Sequence, residues 1–301
     1  MATLLCLGLG YCARHYLAEF GSRFQRVIGT SRSPDKMAVA PVEMLAFDGA
    51  TLSPQVRAAI VAADHLLISA APGGSGDPVL SVFRSDILAA PKLQSVVYLS
   101  SLGVYGDHGG GWVDESTPTI PAHTRGASRV DAELAWQALG RERSIPVAIL
   151  RLGGIYGPGQ NAFVRLRAGR AHRIAKPGHV SNRIHVADIA QAIDAAFARK
   201  FDGVVNVTDD EPSPPSEQIA FAARLLGMEP PPELSLDEAR RTLSPFILSF
   251  YQGCARVRND RLKRDLGVNL RYPNYREGLA AIHEIGRLAL MSQAGGGMER
   301  H

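Results

Sequence analysis

Residues 3–13, Thr3-Leu4-Leu5-Cys6-Leu7-Gly8-Leu9-Gly10-Tyr11-Cys12-Ala13, constrain the fold more than any other stretch of the chain. An apolar run suited to a buried strand breaks into glycines, then resumes at helical spacing through Tyr16, Leu17 and Phe20. Gly8 permits a sharp turn, Gly10 offers no side chain to block a ligand approaching the backbone, and Ala13 lets the helix lie close on the strand. The pattern predicts a strand, a tight turn and a helix N-terminus built to hold a pyrophosphate, with Gly8, Gly10, Tyr11 and Ala13 as its cradle. Glycine turns of this kind also join strands to helices without any ligand, so the rest of the chain must supply the context.

That context is an alternation of apolar runs and amphipathic segments. Strands are predicted at 26–30, 43–47, 65–69, 95–99 and 146–151, with helical stretches at 54–63, 79–90 and 128–141. The runs are apolar on both faces, as central strands of a parallel sheet must be. The expected fold is α/β: a Rossmann-like, doubly wound parallel sheet with helices on both faces and a smaller C-terminal substrate lobe. A helix at 186–200 and a strand at 203–207 return to the sheet. The dinucleotide unit is thus residues 1–155 rejoined by 186–207, and the lobe is 156–185 with 208–290. The glycine-rich end, 291–301, is expected to be a disordered tail.

Composition removes several functions. The net charge of +4 is spread along the chain with no basic stripe interleaved with aromatics, which argues against nucleic acid. Cys6, Cys12 and Cys254 offer neither a disulfide framework nor a metal-ligand spacing, so a reduced, cytoplasmic protein is expected. No basic segment precedes the N-terminal apolar run, and no stretch approaches the roughly 20 apolar residues that span a bilayer. Gly73-Gly74-Ser75-Gly76-Asp77 lacks the final glycine of a nucleophile elbow.

The end of the second strand bears on which dinucleotide is bound. An acid there would hold a ribose 2′-hydroxyl and repel a 2′-phosphate. The chain instead reads Gly29-Thr30-Ser31-Arg32-Ser33. Arg32 brings a planar fork of donors and Ser31 a hydroxyl, which suits the 2′-phosphate of NADP. Arg32 also suits a solvated loop, and NAD stays open. Asp48 after the third strand is placed to meet the adenine, and Ala70 and Ala71 after the fourth to pack on the cofactor; plain loop roles fit these positions equally.

Four later segments, taken with the glycine turn, resemble the extended short-chain dehydrogenase/reductases, the NAD(P)-dependent epimerase/dehydratase family. They are Tyr98–Gly106 with Asp114–Pro118, Arg151–Gly159, Asn182–Ala190 and Asn206–Pro212, and they run in family order along nearly the whole chain. The resemblance implies that Ser101 is the serine that hydrogen-bonds the substrate oxygen. It also exposes a departure. The family's Tyr and Lys, four residues apart with Glu four beyond, fall on Arg125 and Arg129 when Glu133 anchors the alignment. Arginine does not release a proton in a protein. Arg125 is left to clamp an anion and Arg129 to donate to the nicotinamide ribose. Tyr105 and His123 become the nearest proton carriers, with Tyr156 and His185 behind them. The sequence therefore supports two readings: an NAD(P)-dependent oxidoreductase or epimerase acting on a small hydroxyl or carbonyl substrate, sugar-like or anionic, with NADP favoured, or a non-catalytic NADP(H)-binding sensor. Pairing of the 79–90 and 128–141 helices would make a homodimer.

Overall fold

The structure, a computed structural model, describes residues 2–34 and 41–295, with side chains through Leu288. Seven strands form one sheet: β1 (Thr3–Leu7), β2 (Arg26–Ser31), β3 (Glu43–Ala46), β4 (His65–Ile68), β5 (Ser95–Ser101), β7 (Val147–Leu152) and β11 (Gly203–Val207). Their order is β11-β7-β5-β4-β1-β2-β3, and every adjacent pair is parallel. The winding reverses between β1 and β4, which opens a crevice at the C-terminal ends of those two strands. Seven parallel strands with helices on both faces are the doubly wound sheet expected from the apolar runs.

The pleat divides the core. Along β1, Leu4 and Cys6 point into one apolar cluster, where α1 (Tyr11–Phe20) and α6 (Val186–Ala198) contribute Ala13, Tyr16, Ile189 and Ile193. Leu5 and Leu7 point into the other, with Val56 and Ile60 of α2 (Pro54–Ala62), Phe83 and Ile87 of α3 (Pro78–Ala89), and Trp136 of α4 (Thr124–Arg143). Alternation through an extended backbone sends successive residues to opposite faces, so one strand feeds both cores. Asp77 joins two helices on the second face. Its Oδ1 accepts from the Val79 and Leu80 amides at 2.9 Å each, capping α3, and its Oδ2 accepts from Trp136 Nε1 at 3.1 Å.

The remaining elements are short. They are β6 (Trp112–Val113), β8 (Gly154–Tyr156), β9 (Arg173–Ala175), β10 (Arg183–His185), β12 (Glu233–Ser235) and β13 (Arg256–Val257), paired into three two-stranded sheets. Between them lie α5 (Ala162–Arg167), α7 (Pro215–Leu225), α8 (Leu236–Thr242), α9 (Pro245–Ser249), α10 (Asp260–Arg264) and α11 (Tyr275–Gly295). A separate apolar cluster forms here around Phe163, Leu166, Ile219, Tyr275 and Leu279.

Two expectations are corrected. Helix α4 starts at Thr124, not at residue 128, because His123 caps it. Residues 291–295, expected in a disordered tail, belong to α11, while 296–301 lie outside the described residues. The three cysteines are buried and form no disulfide. No helix among the described residues is long and apolar enough to cross a membrane.

Candidate functional site

Gly8 closes β1 at φ +94°, a backbone conformation that side chains other than hydrogen resist. A Cβ there would lie 2.7 Å from the Ala70 nitrogen. The turn is clamped from β2, since Gly8 N donates to Thr30 Oγ1 at 2.9 Å and Leu9 N to the Thr30 carbonyl at 2.8 Å. Gly10 then occupies the N-cap of α1, where no side chain caps the helix and no acid stands in its first turn. The leading amides of α1 are thus open to an anion, and the positive end of the helix favours one. A cradle that any side chain at Gly8 would fill, followed by an uncapped helix, fits a dinucleotide pyrophosphate. Ala13 is fully buried against the sheet. Tyr11 turns its side chain away, donating from its hydroxyl to the Pro158 carbonyl at 2.9 Å.

Ser31 and the exposed Arg32 stand at the end of β2, with the Ser31 hydroxyl accepting from Ser33 N at 3.1 Å. Asp48 closes on its own turn. It accepts from the Thr51 amide at 2.7 Å, the Ala50 amide at 2.8 Å and the Thr51 hydroxyl at 2.8 Å, which hold its carboxyl down to about 2. Ala70 lies against Gly8, donating to the Leu7 carbonyl at 3.0 Å, and Ala71 is exposed beside it.

Ser101 ends β5, the strand next to β4. Its hydroxyl oxygen accepts from Gly103 N at 3.2 Å and caps a single 3₁₀ turn, Leu102–Val104. His123 reaches the same place from α4. The point where a side chain at Gly103 would begin is 3.4 Å from Ser101 Oγ and 3.8 Å from His123 Nε2. The bare backbone of Gly103 therefore keeps a small gap between the two. His123 Nδ1 accepts from the Gly126 amide at 2.9 Å. A backbone N–H can only donate, so the proton of the neutral ring resides on Nε2 and faces the gap. Gly126 makes this approach possible, because a Cβ on it would come 2.7 Å from the Gly103 carbonyl.

The other candidates part company with this pair. Arg129 points to the end of β5, donating to the Leu99 carbonyl at 2.6 Å and the Tyr98 hydroxyl at 3.3 Å. Arg125 turns outward, donating to Ser249 Oγ at 2.6 Å and covering the Phe246 ring, so it engages α9. Tyr105 is withdrawn altogether. It is 1% exposed, its hydroxyl donates to Asn206 Oδ1 at 2.8 Å and accepts from Arg151 Nη1 at 2.9 Å, and burial pushes its ionisation upward. The expectation that Tyr105 carries a proton is not met by this geometry, since its hydroxyl is enclosed by the core. His185 and Tyr156 are also away from the gap, in edge-to-face contact with each other at a ring-centroid distance of 5.1 Å.

Sequence reasoning missed the buried network to which Tyr105 belongs. Arg151 on β7 pairs with Glu133 of α4 at 2.8 Å, Ser100 donates to Glu133 at 2.5 Å, and the Asn206 amide donates to Glu115 at 2.7 Å. The arginine at the end of β7 was visible in the chain, but its partners were not. Gly103 was missed as well, although a glycine two residues after the serine was there to be read.

A glycine cradle at the switch point, an uncapped helix and a serine at the end of the fifth strand define a dinucleotide-binding α/β protein of the short-chain dehydrogenase/reductase type. Residues 8–208 match the NAD dependent epimerase/dehydratase family, and the chain belongs to that family. It is 46% identical to a functionally unknown conserved protein from Silicibacter pomeroyi, over 95% of this chain and 99% of that one, with a TM-score of 0.85. The fold also matches UDP-glucuronic acid 4-epimerase from Bacillus cereus, solved with NAD, at a TM-score of 0.74 and 16% identity over 94% of this chain and 96% of that one. A curated relative, the 3-diazoavenalumate denitrifying reductase of a Streptomyces species, is 31% identical over 175 residues, which are 56% of this chain and 58% of that protein.

Proposed function

We propose that this chain is an NADP-dependent oxidoreductase acting on a carbonyl or hydroxyl group of a small substrate. The observation that carries the reading is the gap at Gly103, where Ser101 Oγ and His123 Nε2 converge on one point at 3.4 and 3.8 Å. When bound, the nicotinamide supplies or accepts the hydride. The cradle of Gly8, Gly10 and Ala13 would hold its pyrophosphate, and Arg129 at the end of β5 would meet its ribose. Ser101 and the Nε2–H of His123 then donate to the substrate oxygen and stabilise the negative charge that develops there. His123 takes the role that the family gives to a tyrosine, and Arg125 engages α9 through Ser249 and Phe246. Arg32 at the end of β2, where Gly29–Ser33 contains no acid, supports the 2′-phosphate of NADP. The similarity to a reductase supports hydride transfer toward the substrate.

The test is NADPH consumption with a panel of aldehydes, ketones and nucleotide sugars. Turnover by the native chain, lost in Ser101→Ala while NADPH still raises the Tm, is the expected result. NADPH at 100 times its Kd raises stability by about 2.7 kcal/mol, and Arg32→Ala should reduce that gain without changing the smaller gain from NADH. A second reading, a sensor without turnover, is favoured by Arg125 standing where the proton-transferring tyrosine belongs. Tight NADPH binding with no turnover on any compound would select it.

A further inference from the structure

Tyr11 is the first residue of α1 and directly follows Gly10, so its backbone belongs to the turn that a pyrophosphate would meet. Its side chain does not stay local. The hydroxyl donates to the Pro158 carbonyl at 2.9 Å, across 147 positions of the chain. The approach depends on the glycine next to that carbonyl. A Cβ on Gly157 would lie 2.6 Å from the Tyr11 hydroxyl oxygen and 2.6 Å from Val186 Cγ1, so a side chain there would push the tyrosine aside. His15, one helical turn further on, meets the Tyr11 ring edge-to-face with centroids 4.6 Å apart and limits its rotation.

The turn that receives the hydroxyl is closed on itself. Gly157 N donates to the Gln160 carbonyl at 3.0 Å and Gln160 N to the Gly157 carbonyl at 3.1 Å, with Gly159 between them at φ +75°. Asn161 locks the turn to the next helix. Its Nδ2 donates to the Gly157 carbonyl at 2.8 Å, and its Oδ1 accepts from Val164 N at 3.1 Å, which caps α5. Helix α5 carries Phe163 and Leu166 into the apolar cluster that α7 and α11 share. A single tyrosine hydroxyl therefore connects the first turn of α1 to the C-terminal lobe, through Pro158, Asn161 and α5.

We infer that Tyr11 is a positioning residue, whose hydroxyl holds the first turn of α1 to the 157–161 turn and so organises the cofactor cradle and the lobe together. This rests on the oxidoreductase reading and adds to it a residue that acts through the cradle's backbone, without touching the reacting atoms. A first turn fixed before the cofactor arrives has less freedom to lose on binding, which favours the bound state. The same bond passes the ordering on, so a cofactor that steadies α1 also steadies residues 157–161.

NADPH affinity and release, measured by fluorescence, and amide hydrogen exchange with and without NADPH test the inference on the native chain and on Tyr11→Phe. The loss of one net hydrogen bond should weaken NADPH binding about two- to tenfold, mostly through faster release. In the native chain NADPH should slow exchange at the Gly157 and Gln160 amides as well as in residues 8–14. Tyr11→Phe should keep the second protection and lose the first. Gly157→Ala should reproduce both effects with the hydroxyl still present, and if that variant fails to fold, Tyr11→Phe decides alone. Unchanged NADPH affinity in Tyr11→Phe, or the same protection of residues 157–160 in both proteins, would overturn the inference and leave the oxidoreductase reading intact. A lower Tm with neither effect would reduce the bond to a structural tie and overturn it equally. No NADPH binding by the native chain would remove the oxidoreductase reading and this inference with it.

Discussion

Two sets of buried polar groups, one joining α4, β7 and β11 and one at His185 and Asp209, are completed to different degrees. In the first set, Glu133, Arg151, Tyr105 and Asn206 bond to one another across α4, β7, the Tyr105 loop and β11. In the second, Nε2 of His185 and Oδ2 of Asp209 lack partners. A closed network pins the relative placement of elements and has nothing left to offer a ligand. An open set is costly to bury and persists where a proton or a ligand meets it. His123 stands between the two cases, one nitrogen spent on a helix cap and the other facing a gap.

The contrast can be broken most forcefully at Arg151. Arg151→Met leaves Glu133 buried and uncompensated, and urea denaturation should show a loss of about 3–5 kcal/mol. A loss under 1 kcal/mol would mean the network does not hold the sheet and α4 together. Asp209 sharpens the other side of the comparison. Burial raises its carboxyl to about 8, against 3.8 for an ordinary aspartate. A group raised on folding gives its full stability below the unfolded value and loses it as pH climbs through the folded one. The native chain should therefore lose stability between about pH 4 and pH 8, on the order of a few kcal/mol. Asp209→Asn should flatten that slope, and parallel profiles for the two proteins would refute the assignment.

Smaller effects are expected at the half-used histidine. His123→Ala removes the cap and should cost about 1 kcal/mol, whereas His123→Asn restores a capping oxygen and should keep the Tm. Both should lose turnover, and an active His123→Asn would return His123 to a purely structural role. The smallest change in stability belongs to Gly103→Ala. The added methyl meets its neighbours at ordinary contact distances of 3.4 Å and beyond, so stability should shift by no more than about 0.5 kcal/mol. The methyl would nevertheless occupy the gap between Ser101 and His123. Turnover should fall, up to about 100-fold, because a 1 Å misplacement of reacting groups costs that much.

These regions also differ in how far the amino-acid sequence reveals them. The cradle is legible because one continuous stretch builds it: strand, glycine turn and helix follow within eleven residues and need no distant partner. The doubly wound sheet is legible for the same reason, each strand announcing itself by an apolar run. The role of Tyr105 is not, because its hydroxyl meets Arg151 and Asn206, 46 and 101 positions further along. A tyrosine in a loop after Ser101 looks available until β7 and β11 close over it. The Ser101–His123 approach was hidden by a boundary. With α4 started at residue 128, His123 is a loop residue of no fixed direction, whereas a start at Thr124 makes it a cap whose ring must face Gly126.

Strand β7 leaves the ribosome well before the strand that covers its flank. Gly203 of β11 pairs with Ala148 of β7, and the segment between them holds β8, α5, β9, β10 and α6. At 5–20 residues per second, that interval is roughly three to ten seconds. Throughout it, the outer backbone of β7 stands unpaired, an edge that invites association with another nascent chain. The Tyr105 hydroxyl waits longer, roughly five to twenty seconds, because Asn206 lies 101 positions further along. Chaperone dependence and yield on translation should therefore hinge on when residues 203–207 emerge.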